Sequence, residues 1–172
     1  MALTTFLNAK ALTTESSTNV VRTMWDKLSA LPGGKRVFSR LVGRMAPYTG
    51  TMRANIEELR DGYSRVTLAD RHSVRNHLAS VHAIALANLV ELTGNIAVGY
   101  TLPDGARFIV AGIGLDYIKK ARGTITGECQ CPLIDTSARQ EYQIRVLLKD
   151  EGGDVVAEGT LRTLVGPKVL AK

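Results

Sequence analysis

Apolar residues recur at helical spacing twice near the start of the chain. Val20, Val21, Met24, Trp25, Leu28 and Leu31 share one side of a helix that follows a cap at Thr18 or Asn19 and ends at Pro32-Gly33-Gly34. A second helix carries Val37, Phe38, Leu41, Val42 and Met45 on one side and Lys35, Arg36, Arg40 and Arg44 on the other. That division predicts packing on a core with a solvated basic face, rather than a role at a membrane surface. After Pro47, the segment from Arg53 to Asp70 reads as a strand pair or one long bent strand with Gly62 as the turn. Ahead of all these, Met1 to Ser17 is rich in Thr and Ser and is expected to be loosely held.

The run from Asn76 to Asn95 reads as a helix that is apolar almost all round, since Ala83, Ile84, Ala85, Leu86, Leu89, Val90 and Leu92 leave no wide polar stripe. Such a helix belongs at the centre of a fold. Beyond it, strand-like runs over Ala106–Lys119, Gly123–Cys131, Gln140–Lys149 and Asp154–Val165 alternate with turn signals and predict an antiparallel meander. Gly112-Ile113-Gly114 within the first of these marks a bulge or a close backbone approach. The elements together predict an α+β arrangement in which a sheet curls around one long helix, with two extra helices in front.

Glu91 stands among Leu89, Val90 and Leu92, where an ionisable group is costly unless it is hydrogen-bonded or has chemistry to perform. At about 100° per residue, Asn88, Glu91 and Asn95 fall within roughly 60° of one another. His82 lies about 180° from Glu91 and roughly 13.5 Å along the axis, so the two cannot serve one site within one chain. If both belong to the same chemistry, the site is shared by two chains with antiparallel helices, and the smallest active unit is a homodimer.

Composition narrows the classes. With 172 residues and 45% hydrophobic content the chain can bury one core, so a single compact domain is expected, with a helical extension over 1–46 and the main body over 47–172. No stretch free of polar residues is long enough to span a bilayer, and Met1 to Lys10 lacks the continuous hydrophobic segment of a secretory signal, which points to the cytoplasm. Cys129 and Cys131 lie two apart in a strand and face the same way, a spacing that suits buried thiols better than a disulfide or a zinc site; no metal is expected. The net charge of +6 is spread along the chain and aromatic residues are only 5%, so nucleic acid is not an expected partner, and no phosphate-binding glycine loop is present.

At this point the residues resemble a known family, the hotdog-fold acyl thioesterases, and within it the branch of phenylacetyl-CoA and 4-hydroxybenzoyl-CoA thioesterases. That branch shows N-x-x-G-x-x-H-G-G with Asp or Glu nine residues beyond the His. Here Asn76, Ala79, His82, Ala83 and Ile84 occupy those positions, with Glu91 at the ninth residue, and all three glycines are replaced. The resemblance spans roughly Ala46 to Pro167. It implies a hotdog domain over 47–172 and hydrolysis of an acyl-CoA or related acyl thioester, with Glu91 as the catalytic carboxylate, acting as general base or nucleophile. It also implies that the Ala83 backbone N–H polarises the thioester carbonyl at the helix N-terminus, where the dipole favours negative charge. Asn76 would orient the thioester or water from the partner chain, and Asn95 stands where the family carries a helper Thr or Ser. Each residue has a plainer role open to it: Asn76 as a helix cap, His82 as a satisfied core histidine, Glu91 as half of an ion pair.

The stretch Asp116 to Gly123 resembles the strand and turn beside which the family binds CoA phosphates, with Lys119, Lys120 and Arg122 supplying charge; a hairpin edge blunted by lysine is the ordinary reading. The expectation is a homodimer, pairing further into a homotetramer, that takes a small-molecule acyl thioester. It needs no cofactor beyond the CoA of its substrate. A non-catalytic acyl-CoA binder of the same fold is the alternative.

Overall fold

The computed structural model describes Ser16 and residues 18–168; most of the Met1–Ser17 stretch therefore lies outside the described residues. Helix α1 (Val20–Ser29) starts at Asn19, whose side chain accepts from Arg22 N–H. Helix α2 (Gly34–Met45) and the single turn α3 (Pro47–Gly50) follow. Strands β1 (Asn55–Arg60) and β2 (Tyr63–Leu68) form a hairpin around Gly62, at φ +71°, a value that suits glycine. The long helix α4 (Ala83–Thr101) comes next. Strands β3 (Ala106–Tyr117), β4 (Ile125–Gln130), β5 (Gln140–Lys149) and β6 (Val155–Pro167) complete the chain.

All six strands join one antiparallel sheet in the order β1-β2-β4-β5-β6-β3, and α4 packs against every one of them. This is the hotdog fold, with two extra N-terminal helices. The expected meander holds only for β4-β5-β6. β3 instead crosses to the far side of β6 and leaves its place beside β4 to β2. The glycines of β3 do mark a bulge, since the register with β6 shifts between Val110 and Gly112.

Close approach of α4 to the sheet depends on small residues. A Cβ on Gly159 would come within 2.4 Å of Val90, and one on Gly94 within 2.4 Å of Leu161. These contacts fix the helix over β6. α4 is long and apolar enough by length and composition to cross a bilayer, yet here most of it is buried inside the sheet. Its mantle of Leu, Ile and Val replaces lipid.

The helical extension closes the other end. Asn19 Nδ2 donates to the carbonyls of Gly99, Tyr100 and Leu102, and the Arg22 guanidinium donates to those of Tyr100, Thr101 and Leu102. The carbonyls that a helix leaves unpaired at its C-terminus are thus satisfied by α1, with a cation at the negative end of the dipole. Trp25 and Phe38 then meet edge to face at 5.2 Å and extend the core under α1 and α2. Cys129 and Cys131 are free and buried as expected; burial pushes the Cys129 thiol up to about 12, which leaves it protonated and inert.

The two edges of the sheet differ. At β1, Ser39 of α2 accepts from Ile56 N–H at 2.8 Å, Lys35 donates to Glu57 carbonyl, and a register shift breaks the strand between Ile56 and Glu58. At β3, twelve residues run to the edge with Ile109, Ile113 and Tyr117 exposed and no covering element among the described residues. A long apolar edge left open is a template for another strand.

Candidate active site

The helix α4 begins later than its sequence suggests. Residues 76–82 form a loop because Asn76 Oδ1 accepts from Leu78 N–H and from the Ser80 N–H and hydroxyl, a local turn that competes with helix. Ala79 takes φ +53° within it, and Arg75 bridges to Val81. The cap is His82, not Asn76: its Nδ1 accepts from Ile84 N–H at 3.0 Å, while its backbone is extended at ψ 140°. The helix then runs past Asn95 to Thr101.

Ala83 is the first helical residue. Its N–H donates to no acceptor among the described residues, whereas the next N–H, that of Ile84, is taken by His82. Three contacts hold this end in place. Tyr117 O–H donates to the Ala83 carbonyl at 3.0 Å, Val81 N–H to Ala121 carbonyl at 2.9 Å and His82 N–H to Val74 carbonyl at 2.8 Å. Burial raises the Tyr117 phenol above its ordinary value, which keeps it a donor. Nothing in the sequence alone ties Tyr117 to this role, because it depends on β3 lying beside the start of α4. Ile84, where the family pattern has glycine, is exposed and points away from the core.

Glu91 is half-buried, two and a half turns into α4. Asn88, only 5% exposed, and Asn95 flank it on the same helical face, and the side-chain oxygen of each is buried without a hydrogen-bond donor. A third such oxygen is Thr163 Oγ1 on β6. Buried acceptors left unpaired cost on the order of 1–3 kcal/mol each, which makes a face with two of them a candidate site. Helical spacing from Glu91 marks Asn88 as readily as Asn95.

Where this face points follows from fixed contacts. Ala83 sits at Tyr117, and a Cβ on Gly99 would lie 3.7 Å from Phe108, so α4 runs along β3 from its end back to its start. Glu91 and Asn95 fall between these points along the helix. Further along the same face, Gly99 and Leu102 reach a cleft of about 790 Å³, whose apolar wall includes Val21, Phe108 and Val165 and whose rim carries Arg107 and Arg139. His82 is the exposed cap and lies outside the helix proper, with Glu91 nine residues further along the chain.

Of the cations near the β3–β4 turn, Lys119 is held by Asp150 at 2.8 Å and Asp154 at 2.6 Å, which raise its pKa. Lys120 and Arg122 are exposed and make no ion pair among the described residues. Asp70 pairs with Arg75 at 2.6 Å and also accepts from Gly123 N–H, which ties this turn to the loop before α4.

No curated protein matches the chain. Among solved structures, it is similar to a structural-genomics target with 29% identity and a TM-score of 0.74, covering 87% of this chain and 98% of that one. It is also similar to a Pseudomonas aeruginosa protein described as a "Probable Thioesterase", with 24% identity, a TM-score of 0.70 and coverage of 80% and 97%. A Haemophilus influenzae thioesterase shares the fold at 14% identity and a TM-score of 0.63, covering 71% of this chain and 84% of that one. A family model matches residues 34–165, from the first residue of α2 to Val165 within β6, more than half of the chain. The chain therefore belongs to the family described as Domain of unknown function (DUF4442).

Proposed function

We propose that the protein is an acyl-CoA thioesterase, similar to the phenylacetyl-CoA and 4-hydroxybenzoyl-CoA thioesterase branch, whose site forms between two protomers. The observation that carries this reading is the pair of features on α4: an N-terminal backbone N–H with no acceptor, and a half-buried carboxylate on a face with two unpaired amide oxygens. Pairing of the open β3 edges about a two-fold axis brings the start of one α4 toward the middle of the other. The Ala83 N–H then holds the carbonyl oxygen as it gains negative charge. Glu91 of the other protomer serves as base, taking a proton from the water that attacks the carbonyl carbon, or as nucleophile, forming an anhydride that water then cleaves; in either route the C–S bond breaks and the thiolate leaves with a proton from water. The exposed Ile109 and Leu164 on the outer face of the sheet would support further pairing into a tetramer.

The acyl group runs along the α4 face from Glu91 toward Gly99, about 12 Å away at 1.5 Å per residue, and its end occupies the cleft. Thiol release measured over hexanoyl-, lauroyl-, palmitoyl- and phenylacetyl-CoA tests the activity. Gly99→Phe, which fills the space beside Val21, is expected to cut turnover of the longest chains by tenfold or more and to spare the shortest. An unchanged profile would remove the cleft from the substrate path. Binding of CoA esters with no turnover in the wild type would instead favour a non-catalytic binder, a reading that the exposed Ile84 at a glycine position supports.

Lys120 and Arg122 meet the CoA phosphates, with Lys119 stabilising the turn through its two carboxylates. Changing Lys120 and Arg122 to Gln is expected to raise KM for CoA esters severalfold with kcat unchanged, and to leave KM for a short thioester lacking the nucleotide as it was. Equal effects on both substrates would remove the phosphate role. We place the enzyme in the cytoplasm, a reading that two free buried cysteines support.

A further inference from the structure

Helix α2 has four cations and no carboxylate in its twelve residues. Phe38, Ser39 and Gly34 bury its inner side, and Arg36, Arg40 and Arg44 stand exposed in one row on the outer side, four residues apart. None of the three guanidinium groups makes an ion pair or hydrogen bond with a described residue; the Lys35 ammonium beside them donates only to the Glu57 carbonyl. Like charges at this spacing repel, by about 0.2–0.5 kcal/mol per pair in isolated helices, and no ion pair among the described residues offsets that cost. Large apolar side chains stand at both ends of the row. Leu31, 58% exposed, precedes α2, Tyr48, 67% exposed, follows it, and Val37 is exposed between them.

We infer that this face docks a partner protein through an acidic helix laid along α2, its carboxylates repeating every four residues to meet Arg36, Arg40 and Arg44, with Leu31 and Tyr48 closing on apolar residues at its two ends. The chemistry favours a protein over a bilayer. The apolar side of α2 is already spent on Phe38 and the core, so the helix has no apolar face to sink among lipid chains. Three of the four cations are arginine, whose planar fork pairs bidentately with carboxylates, and Arg and Tyr are the residues that anchor protein interfaces. The row also has a register, with rungs about 6 Å apart, which a fluid surface does not require.

A fluorescein-labelled helical peptide with Glu at every fourth position and Leu at both ends is the probe, titrated with the full-length protein by anisotropy. It is expected to bind, to weaken as salt rises, and to bind about tenfold or more weaker when Arg36, Arg40 and Arg44 are all changed to Gln. A peptide of the same composition with its Glu residues scrambled should lose most of that affinity. The reversed pair, Arg→Glu at all three positions with a Lys peptide, should recover binding. Thermal melting of the Gln variant should match or exceed the wild type, because the lost charges repel one another. No binding, equal binding of the scrambled peptide, or binding only to phosphatidylglycerol vesicles would each overturn the inference.

Discussion

Glu91→Gln is expected to reduce thiol release by at least a thousandfold while leaving KM, folding and subunit association close to wild type. The size of the effect follows from the role. In the role proposed for it the carboxylate either takes a proton from water or attacks the carbonyl itself, and an amide does neither, so no partial function is expected to survive the change. Gln matches Glu in shape and Glu91 is only half-buried without a hydrogen-bond partner among the described residues, so the fold loses little. Stopped assays of thiol release against hydrolysis of the same ester over hours would set the floor. Persistence of the wild-type rate would assign the chemistry to another group, and Asn88→Ala and Asn95→Ala, on the same face, would then be the next variants to measure.

How far the sequence reaches depends on whether a feature is local. The helical spacing of Val20 to Leu28, the Asn19 cap and the Gly62 turn are set by neighbours within a few residues and appear where their patterns place them, whereas the apolar run of α4 is helical over Ala83–Thr101 and not from Asn76. Two expectations failed for one reason, which is that longer-range or side-chain contacts overrode the local pattern. Asn76 precedes an apolar run and so reads as a cap, but its side chain closes a turn on Ser80 and hands the cap to His82. β3 precedes β4 in the chain and so reads as its neighbour, but β4 pairs with β2 across the top of α4 and β3 is left at the edge.

That displacement also decides what was legible of the site. Spacing along the chain separates His82 from Glu91, so a site that used both would need two chains. Only the placement of β3 shows which sheet edge is left open among the described residues, since α2 covers the edge at β1. The unpaired oxygens of Asn88, Asn95 and Thr163 and the anchoring of Ala83 by Tyr117 belong to tertiary structure, and no sequence pattern announces them. Lys119 shows the converse. Its charge beside Lys120 and Arg122 is plain in the sequence, but Asp150 and Asp154, some thirty residues on, already engage it.

Ala83→Pro should lower kcat by about a hundredfold to a thousandfold with the helix intact, the range found when one oxyanion donor is removed. Proline is well tolerated at the first position of a helix, where the lost N–H has no partner within the helix. The preceding residue must be extended, and His82 already is, at ψ 140°. The substitution therefore deletes one donor and little else, and circular dichroism and melting should stay near wild type. Combined with Glu91→Gln, it tests whether the two halves of the proposed site come from two chains. Each homodimer lacks one half twice over. A mixed dimer of one Ala83→Pro chain and one Glu91→Gln chain holds one site with both defects and one with neither, so co-expressed, doubly tagged heterodimers should regain up to about half of the wild-type rate per dimer. Activity that stays at the level of the parent homodimers would mean that Ala83 and Glu91 do not meet across the β3 edges, and the two-chain site would have to be abandoned.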